Sequence, residues 1–371
     1  MEQLPKHVEA GLSWLRDDGP HADIVLSTRI RLARNLTGFR MGARADAADR
    51  QAVLRLAIEA ASGTSPLADS TTLVLPTLEP RTRQLLVERH LVSRELVAGA
   101  GTGPASDAAI ILAAQEPISV MVNEEDHLRL QSFLGGFRLR DAWRSIDRLD
   151  DELGAHLPYA FHPEFGYLTS CPTNVGTGLR ASVLMHLPAL VLTQEIGKVL
   201  QGIAQVGLTF RGLYGEGSEV VGNFFQISNQ TTLGKSEEDL IDHLQRIVQK
   251  VVQYETDARA VLLRDAPTVI EDKVWRAYGL LRHARSTSFE EVMNLLSGVR
   301  LGVGLKLIPG LSVYSLNRIM IFGQSAHLQH QHSNQPPLAD GDADVRRASF
   351  VREVLAGEES RARGGEHGNS A

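Results

Sequence analysis

Apolar positions in the first two-thirds of the chain come in short runs that suit β-strands. Residues 110–113 and 118–122 are almost entirely apolar, and Gln115, Glu116 and Pro117 between them are typical of a turn. Residues 181–206 instead space most of their apolar side chains as a helix does, with Pro188 expected near its start or at a kink. The pattern therefore predicts a region of mixed strands and helices.

Beyond Gly234 the pattern becomes helical. Ser236 followed by Asp239 has the spacing of a helix-capping box, and Ser288 followed by Glu291 repeats it. We therefore predict two domains, a mixed one at 24–258 and a helical one at 259–357, followed by a polar, disordered tail at 358–371. After the first cap, apolar side chains recur at helical intervals, namely Leu240, Ile241, Leu244, Ile247, Val248, Val251 and Val252.

The composition limits the classes of function. A net charge of −6 supplies no basic surplus to displace counterions from a nucleic acid, which argues against a general nucleic-acid-binding protein but leaves room for a local cluster of arginines. Cys171 is the sole cysteine, which precludes an intrachain disulfide and favours a reducing compartment. No uninterrupted apolar run reaches about 20 residues, the length that a membrane span needs. We therefore expect a cytoplasmic protein without a membrane span.

Five arginines are candidates for phosphate binding. Arg29 and Arg31 share a face if their segment is extended, and Arg129, Arg180 and Arg211 lie beside acidic or glycine-containing segments. An arginine fork donates two parallel hydrogen bonds and stays charged. Phosphoryl transfer from a triphosphate needs several such donors together with Mg²⁺. Any one of these arginines taken alone is more typical of a surface ion pair.

Two glutamates are candidates for acid–base chemistry. Glu125 lies just past a predicted strand, and Glu216 lies in a glycine-flanked segment where backbone can approach a ligand closely. A guanidinium is a poor nucleophile because protonation, with a pKa above about 12, ties up its lone pair. Two carboxylates could orient the attacking nitrogen and accept its proton. The alternative for the acidic run at 124–126 is an ordinary solvated turn.

Other nucleotide and metal signals are incomplete. Residues 234–236 resemble the end of a P-loop, but Asn229 occupies the position of the required upstream glycine. His327, His330 and His332 have no cysteine or nearby carboxylate to complete a metal site, which favours a polar segment. We therefore predict no protein-bound metal.

Longer motifs make the chain similar to a known family. Residues 171–183 resemble the signature of the ATP:guanido phosphotransferases, the phosphagen kinases that include arginine and creatine kinases. Residues 123–127 resemble that family's acidic catalytic loop, and 27–31 resemble its first phosphate-binding strand. Residues 211–219 and 222–236 resemble more narrowly the bacterial protein-arginine kinases. The likeness covers almost the whole chain.

The resemblance implies an α+β fold. The catalytic domain, at 24–258, would be a phosphagen-kinase-like antiparallel sheet flanked by helices, of the glutamine-synthetase-like kind. The helical domain, at 259–357, would form a homodimer.

The resemblance also implies roles for individual residues. Glu125 would take the guanidinium proton, Glu216 would be the second carboxylate, and Cys171 would lie beside the guanidino group. A buried, small hydrophobic Cys171 is the alternative. His90 would sit against the nucleotide base, and ATP would bring Mg²⁺ on its phosphates. Five arginines would hold the phosphates, namely Arg29, Arg31, Arg129, Arg180 and Arg211, and Ser27, Thr28 and Ile30 belong to the same phosphate-binding strand. The backbone of two segments would complete the ATP site, namely Arg180, Ala181, Ser182, Val183 and Leu184, and Arg211, Gly212, Leu213, Tyr214, Gly215 and Glu216.

The length ahead of the first motif bears on the substrate. Kinases of free arginine or creatine carry a helical domain there that covers the small substrate, whereas only about two dozen residues precede Ser27. We therefore expect arginine side chains of proteins as substrates. A kinase for free arginine or another small guanidino compound is one alternative, and a non-catalytic adaptor that binds phosphoarginine is another.

The C-terminal region bears on regulation and partners. Protein-arginine kinases carry an Arg-Asp-x-x-Arg-Ala motif that binds phosphoarginine and tunes activity. Ala343 replaces the leading arginine here, so one fork for the phosphate is missing. The resemblance further implies a zinc-binding activator protein, control of stress-response repressors and delivery of modified proteins to a Clp ATPase and its protease. The matching positions are Ala343, Asp344, Val345, Arg346, Arg347 and Ala348.

Overall fold

An antiparallel sheet of eight strands organises the first two-thirds of the protein. The computed structural model describes residues 12–16, 18–102, 107–114, 118–212, 220–330 and 341–366. The sheet has the strand order β2-β3-β4-β5-β1-β8-β10-β9, and β6 pairs with β7 in a separate hairpin. The strands are β1 (Val25–Arg34), β2 (Thr71–Val74), β3 (Ala109–Leu112), β4 (Ile118–Val122), β5 (Leu128–Gly135), β6 (Phe161–His162), β7 (Gly166–Tyr167), β8 (Leu179–His186), β9 (Leu208–Gly212) and β10 (Phe224–Asn229).

Helices flank the sheet and make up the C-terminal part of the described chain. Short 3₁₀ turns lie at Ser13–Leu15, Gly42–Arg44, Ser65–Leu67, Leu75–Thr77 and Pro172–Asn174. The α-helices are α1 (Ala47–Ser62), α2 (Pro80–Glu88), α3 (Arg94–Thr102), α4 (Leu139–Gly154), α5 (Pro188–Leu192), α6 (Ile196–Gln205), α7 (Glu237–Asp265), α8 (Pro267–His283), α9 (Phe289–Gly304), α10 (Val313–Phe322), α11 (Ser325–His330) and α12 (Asp342–Glu366).

One face of the sheet is covered and the other is left for a cleft. Alternate side chains of β1, such as Ile30 and Leu32, are fully buried and belong to the main core. Helix α4 packs on β1 and β5, and α7 packs on β8 and β10. Each fully buried leucine or isoleucine stabilises this arrangement by about 1.5–3 kcal/mol. Because side chains alternate along a strand, the residues between the buried ones face away from these helices.

The predicted strands and helix starts are confirmed, including a helix start at Pro188, and the helix predicted over 181–206 is wrong only in its first part. Ser236 caps α7 in a capping box with Asp239, and Ser288 accepts a hydrogen bond from the Glu291 amide at the start of α9. Within 181–206, however, β8 occupies the first part and α5 begins at Pro188. Within the strand part of this range, Leu184 separates the polar residues Ser182 and His186, and this leaves too little alternation to distinguish a strand from a helix.

The domain boundaries stay predictions. Helix α7 runs without a break through position 258, and residues on both sides of that position belong to one continuous hydrophobic core. Helix α12 continues to Glu366, so the structure differs from the disorder predicted for 358–371 over part of that segment. Within the residues described, no helix combines the length and the apolar character needed to cross a bilayer.

A buried ion pair fixes the end of β1 against the helix layer. Arg34 is 1% exposed, and its Nε donates to both carboxylate oxygens of Asp150 on α4 at 3.0 Å. Its Nη1 donates to the Thr177 carbonyl at 2.8 Å, and its guanidinium lies 3.5 Å from the centre of the Tyr167 ring. The pair therefore joins β1, α4 and the loop that precedes β8.

We expect Asp150→Asn to lower the free energy of unfolding by about 3–5 kcal/mol, because the Arg34 charge would stay buried without its counter-ion. Urea denaturation measures this change. Asp141→Asn is the matched control, since its ion pair with Arg144 is exposed and 3.7 Å long, and should cost less than about 1 kcal/mol. Equal losses in the two variants would contradict the role given to the buried pair.

Candidate active site

Strand pairing brings the five candidate arginines onto one face of the sheet. Arg31 on β1 stands opposite Arg180 on β8 and Gln131 on β5. Directly paired residues have Cβ atoms about 5 Å apart and point to the same side. Arg129 lies two residues before Gln131 on β5 and so shares that side. This face is the one that α4 and α7 leave uncovered.

The fifth arginine comes from the other edge of the same face. Arg211 on β9 pairs with Gln226 on β10, and Gln226 pairs with Leu184 on β8. Arg29 pairs with Ser182 on β8. The prediction that Arg29 and Arg31 share a face is therefore confirmed by the strand register.

The arginine face lines a cleft of ≈ 750 Å³. Carboxylates and the cysteine flank it where β1 ends, and aromatic side chains flank it where β1 begins. The residues that line it include Trp14, Ser27, Arg29, Arg31, Glu88, His90, Glu124, Glu125, Arg129, Phe133, Cys171, Asn174, Arg180, Ser182, Leu184, Arg211, Gln226, Met320 and Gln324.

The arginines are closer together than their charges favour. Burial, and then the neighbouring Arg129, lower the pKa of Arg29 to about 10. Burial and the charge of Arg29 lower the pKa of Arg31 well below its usual range. The Nε atoms of both side chains are buried and have no hydrogen-bond partner among the described residues. A bound polyanion would relieve the repulsion and satisfy these donors.

Glu124 offsets part of this charge, a role that the sequence did not reveal. Its side chain is 4% exposed, and its carboxylate accepts hydrogen bonds from Arg129 and from the Ser93 hydroxyl. Val122 and Leu128 pair across the loop of residues 123–127, which brings Glu124 back beside the start of β5. The sequence does hold one indication of this contact. If residues 123–127 form a hairpin loop, the short spacing between Glu124 and Arg129 brings the two side chains together.

The acidic loop is anchored by its last two residues. Asp126 accepts a hydrogen bond from Asn35 Nδ2 at 2.6 Å and from the Ser170 amide at 2.7 Å. His127 is buried, and its Nδ1 accepts from the Leu36 amide at 3.0 Å. These bonds occupy the second half of the loop, so Glu124 and Glu125 are the acidic side chains that reach the cleft. The bond to Ser170 also ties this loop to the segment that carries Cys171.

Glu125 and Cys171 meet at the rim of the cleft. Glu125 is exposed, yet partial burial and then the charge of Asp126 raise the pKa of its carboxyl, while Arg129 and a hydrogen bond from Cys171 oppose the shift. Cys171 is partly exposed, with its Sγ 3.0 Å from Thr173 Oγ1. The alternative of a buried, hydrophobic Cys171 is therefore not what the structure shows.

Glycines allow the segment between Cys171 and β8 to pack closely. Gly176 has φ +111° and a Cβ there would lie 2.3 Å from the Thr232 carbonyl. Gly178 has φ +63° and a Cβ there would lie 2.6 Å from the Ala33 carbonyl. Both positions need glycine because of conformation as well as space.

Several residues predicted for ATP binding face away from the cleft. Thr28 is buried, and its hydroxyl donates to the Gly136 carbonyl at 2.7 Å. The side chains of Ile30, Ala181 and Val183 are also fully buried, in the core on the opposite face. Gly212 ends β9 and is buried. Leu213, Tyr214, Gly215 and Glu216 lie outside the described residues.

Aromatic rings form the far end of the cleft. The ring of His90 lies 5.9 Å from that of Trp14 and 6.1 Å from that of Phe133. Burial, followed by the charge of Arg29, lowers the pKa of His90 to about 3, so its imidazole is neutral at physiological pH. The sequence analysis did not identify Trp14 or Phe133 as cleft residues. Phe133 could have been found, because it lies two and four residues after Gln131 and Arg129 on β5 and therefore shares their face.

Arg347, in the segment compared with the phosphoarginine motif, is turned toward the protein. It is 3% exposed, and it donates from Nε to the Gly323 carbonyl at 2.8 Å and from Nη1 to the Thr287 carbonyl at 2.9 Å. Nη1 also donates to Asp344 at 2.5 Å. Val345 is exposed, Ala348 is buried, and Ala343 and Arg346 are partly exposed. The fork of Arg347 thus serves internal contacts.

His327 has a structural partner. Its Nδ1 lies 2.9 Å from the Glu88 carboxylate, and its Nε2 accepts from Arg89 at 3.2 Å. Among the described residues no group of three or more His, Cys, Asp or Glu side chains is placed to hold a metal.

Comparisons with known proteins agree on one family. The family model described as "ATP:guanido phosphotransferase, C-terminal catalytic domain" matches residues 55–258, and "Protein-arginine kinase McsB C-terminal domain" matches 267–365. A protein-arginine kinase of Moorella thermoacetica is 46% identical over 95% of this chain and 99% of its own. One of Bacillus licheniformis is 44% identical over 95% of this chain and 96% of its own.

Two solved structures share the fold. The duplicated taurocyamine kinase of Schistosoma mansoni with bound transition-state-analogue components has a TM-score of 0.57 at 26% identity; the match covers 65% of this chain and 34% of that one. Lombricine kinase has a TM-score of 0.56 at 24% identity, over 68% of this chain and 71% of its own.

Because Arg31 is held among like charges, we expect Arg31→Met to raise the free energy of unfolding of the empty protein by about 1 kcal/mol. The same change should weaken binding of pyrophosphate by about ten- to a hundredfold, since a charged donor is lost. Urea denaturation with and without pyrophosphate measures both effects. Arg144→Met, at an exposed position, is the control and should alter neither. If Arg31→Met were less stable than the wild type and pyrophosphate still raised its free energy of unfolding as much as it does for the wild type, the account of the arginine cluster would be wrong.

Proposed function

The chain belongs to the ATP:guanido phosphotransferase family, among its protein-arginine kinases, and from this premise we propose how it phosphorylates arginine side chains of proteins with ATP. One observation carries the proposal: a single cleft brings together five arginines on one sheet face and, at one end, the Glu125–Cys171 pair. A cationic face suits the polyphosphate, and an acidic rim suits a guanidinium.

Arg29, Arg31, Arg129, Arg180 and Arg211 would hold the ATP phosphates, and the phosphates would hold Mg²⁺. Support comes from the buried, unpartnered Nε atoms of Arg29 and Arg31 and from the lowering of their pKa values by burial and by neighbouring arginines. The phosphates would share Arg129 with Glu124, to which it is hydrogen-bonded.

Glu125 would act as the base. As a guanidinium nitrogen forms its bond to the γ-phosphorus, the bond from that phosphorus to the bridging oxygen breaks and ADP leaves with the electron pair. The guanidinium proton passes to the Glu125 carboxylate. A raised pKa makes this carboxylate a stronger base than an ordinary glutamate. Cys171 would contact the guanidino group, and Glu216 would be the second carboxylate.

The wider setting is also proposed. Modified proteins would pass to a Clp ATPase and its protease, stress-response repressors would be among the targets, and a zinc-binding protein would act as activator. The sole cysteine supports a reducing, cytoplasmic setting. Exposed apolar residues on α8, such as Val269 and Leu280, support a homodimer through the helical region. Arg347's internal bonds, together with Ala343, argue for a weak phosphoarginine response.

We expect the protein with ATP and Mg²⁺ to form acid-labile phosphoarginine on an arginine-rich protein, and Glu125→Gln to lose at least about a hundredfold in kcat. Because the base must be ionised and its pKa is raised, activity should fall as the pH drops through a value above the usual range of glutamate. Mass spectrometry under non-acidic conditions and a pH–rate profile measure these effects. Full activity of Glu125→Gln would remove Glu125 from the role, and phosphorylation of free arginine in preference to protein would favour the small-substrate alternative.

Arg180→Lys tests the need for a fork. A lysine keeps the charge but provides no bidentate geometry, so we expect kcat/KM for ATP to fall at least tenfold. Steady-state kinetics give the value, with exposed Arg144→Lys as the matched control. Wild-type kinetics in Arg180→Lys would speak against a phosphate contact there.

A further inference from the structure

The C-terminal helical region reaches into the nucleotide cleft. Met320, near the end of α10, and Gln324, two residues beyond that helix, line the cleft together with His90. Gln324 is 9% exposed. Both residues lie within the segment matched by the protein-arginine kinase C-terminal model, outside the phosphotransferase match.

These residues stand at the end of the cleft away from the reacting groups. The loop of residues 123–127, with Glu125, adjoins the end of β1, where Leu128 pairs with Arg34. Phe133 is beside Arg29 and nearer the start of β1, and its ring lies 4.5 Å from that of Trp14. A triphosphate on the arginines, with its terminal group toward Glu125, would therefore direct the base toward the aromatic end.

The amide of Gln324 has its nitrogen already engaged. Nε2 donates to the backbone carbonyls of Glu88 and Met320, both at 3.5 Å. A carboxamide has two N–H donors and one carbonyl oxygen. With both donors directed at the protein, the group that Gln324 offers to a ligand is its oxygen, which only accepts hydrogen bonds.

The position of Gln324 is fixed from both sides. The Gly323 amide donates to the Ile319 carbonyl at 3.0 Å, and the Gly323 carbonyl accepts from Arg347 Nε at 2.8 Å. Glu88, whose carbonyl accepts from Gln324, also accepts with its side chain from the amides of Ala326 at 3.0 Å and His327 at 3.1 Å. The turn that carries Gln324 is thus bonded both to α12 and to α2.

We propose that Gln324 Oε1 accepts a hydrogen bond from the 6-amino group of adenine and so selects ATP over 6-oxo purine nucleotides. The selection has a simple cause: a 6-oxo group would place an acceptor against an acceptor, and turning the amide would place its oxygen against the carbonyls of Glu88 and Met320, which also only accept. The neutral ring of His90 and the rings of Trp14 and Phe133 supply apolar contact for the purine. The inference rests on the proposed function and deepens it.

The test compares ATP with inosine triphosphate in the full chain. For the wild type we expect a higher kcat/KM with ATP than with inosine triphosphate. Gln324→Met keeps the shape of the side chain but loses the hydrogen-bonding strength of its oxygen. We expect this variant to lower the preference for ATP about tenfold, mainly through a higher KM for ATP. Gln249→Met, at an exposed position on α7, should keep the wild-type preference. An unchanged preference in folded Gln324→Met would overturn the proposal.

Binding to the wild type gives a second measurement that does not depend on the variant folding. Calorimetry should show ATP binding about tenfold more tightly than purine riboside triphosphate, which lacks the 6-amino group. Equal affinities would overturn the role of Gln324. If the wild type binds ATP selectively but forms no phosphoarginine, the proposed phosphotransfer is wrong, whereas the proposed recognition of adenine by Gln324 is supported.

Discussion

The structure depends on a sheet face that holds arginines against their own repulsion. Strand pairing, not ion pairing, sets Arg31 beside Arg180 and Arg29 beside Ser182, because the opposite side chains of the same strands are buried under α4 and α7. The energy of that apolar layer offsets the cost of gathering buried cations. The consequence is a cleft in which the buried Nε atoms of Arg29 and Arg31 have no partner among the described residues, which would be electrostatic preorganisation for the proposed phosphoryl transfer.

Hydrogen bonds of buried residues extend this preorganisation to both ends of the cleft. Asp126 links the acidic loop to the segment of Cys171, which fixes the loop of the proposed base beside the cysteine. At the other end, Glu88 joins α2 to α11, and Arg347 joins α12 to the turn before α11. The helical region is therefore part of the wall of the cleft, and changes in its packing would alter the proposed contacts with the base.

The motifs predicted the family and fold class, which the matching family models and relatives confirm, and local signals predicted the strands and caps. Ser236 and Ser288 cap helices because their signal is contained within four residues. The helical interpretation of 181–206 is wrong at 181–186, where Leu184 interrupts the polar face of β8, and is confirmed from Pro188, where α5 and α6 follow. The sequence could not identify Trp14, Glu88 and Gln324 as residues of the cleft. Gln324 contacts Glu88 across more than two hundred residues, and the periodicity of a sequence does not predict such a contact.

A crystal structure of the protein with Mg²⁺ and a non-hydrolysable ATP analogue tests the central claim most directly. The account expects phosphate oxygens within about 3 Å of the Nε atoms of Arg29 or Arg31, with the terminal phosphate toward Glu125 and the base beside His90. A triphosphate bound away from the arginine face, or lying in the cleft with its base toward Glu125, would contradict it.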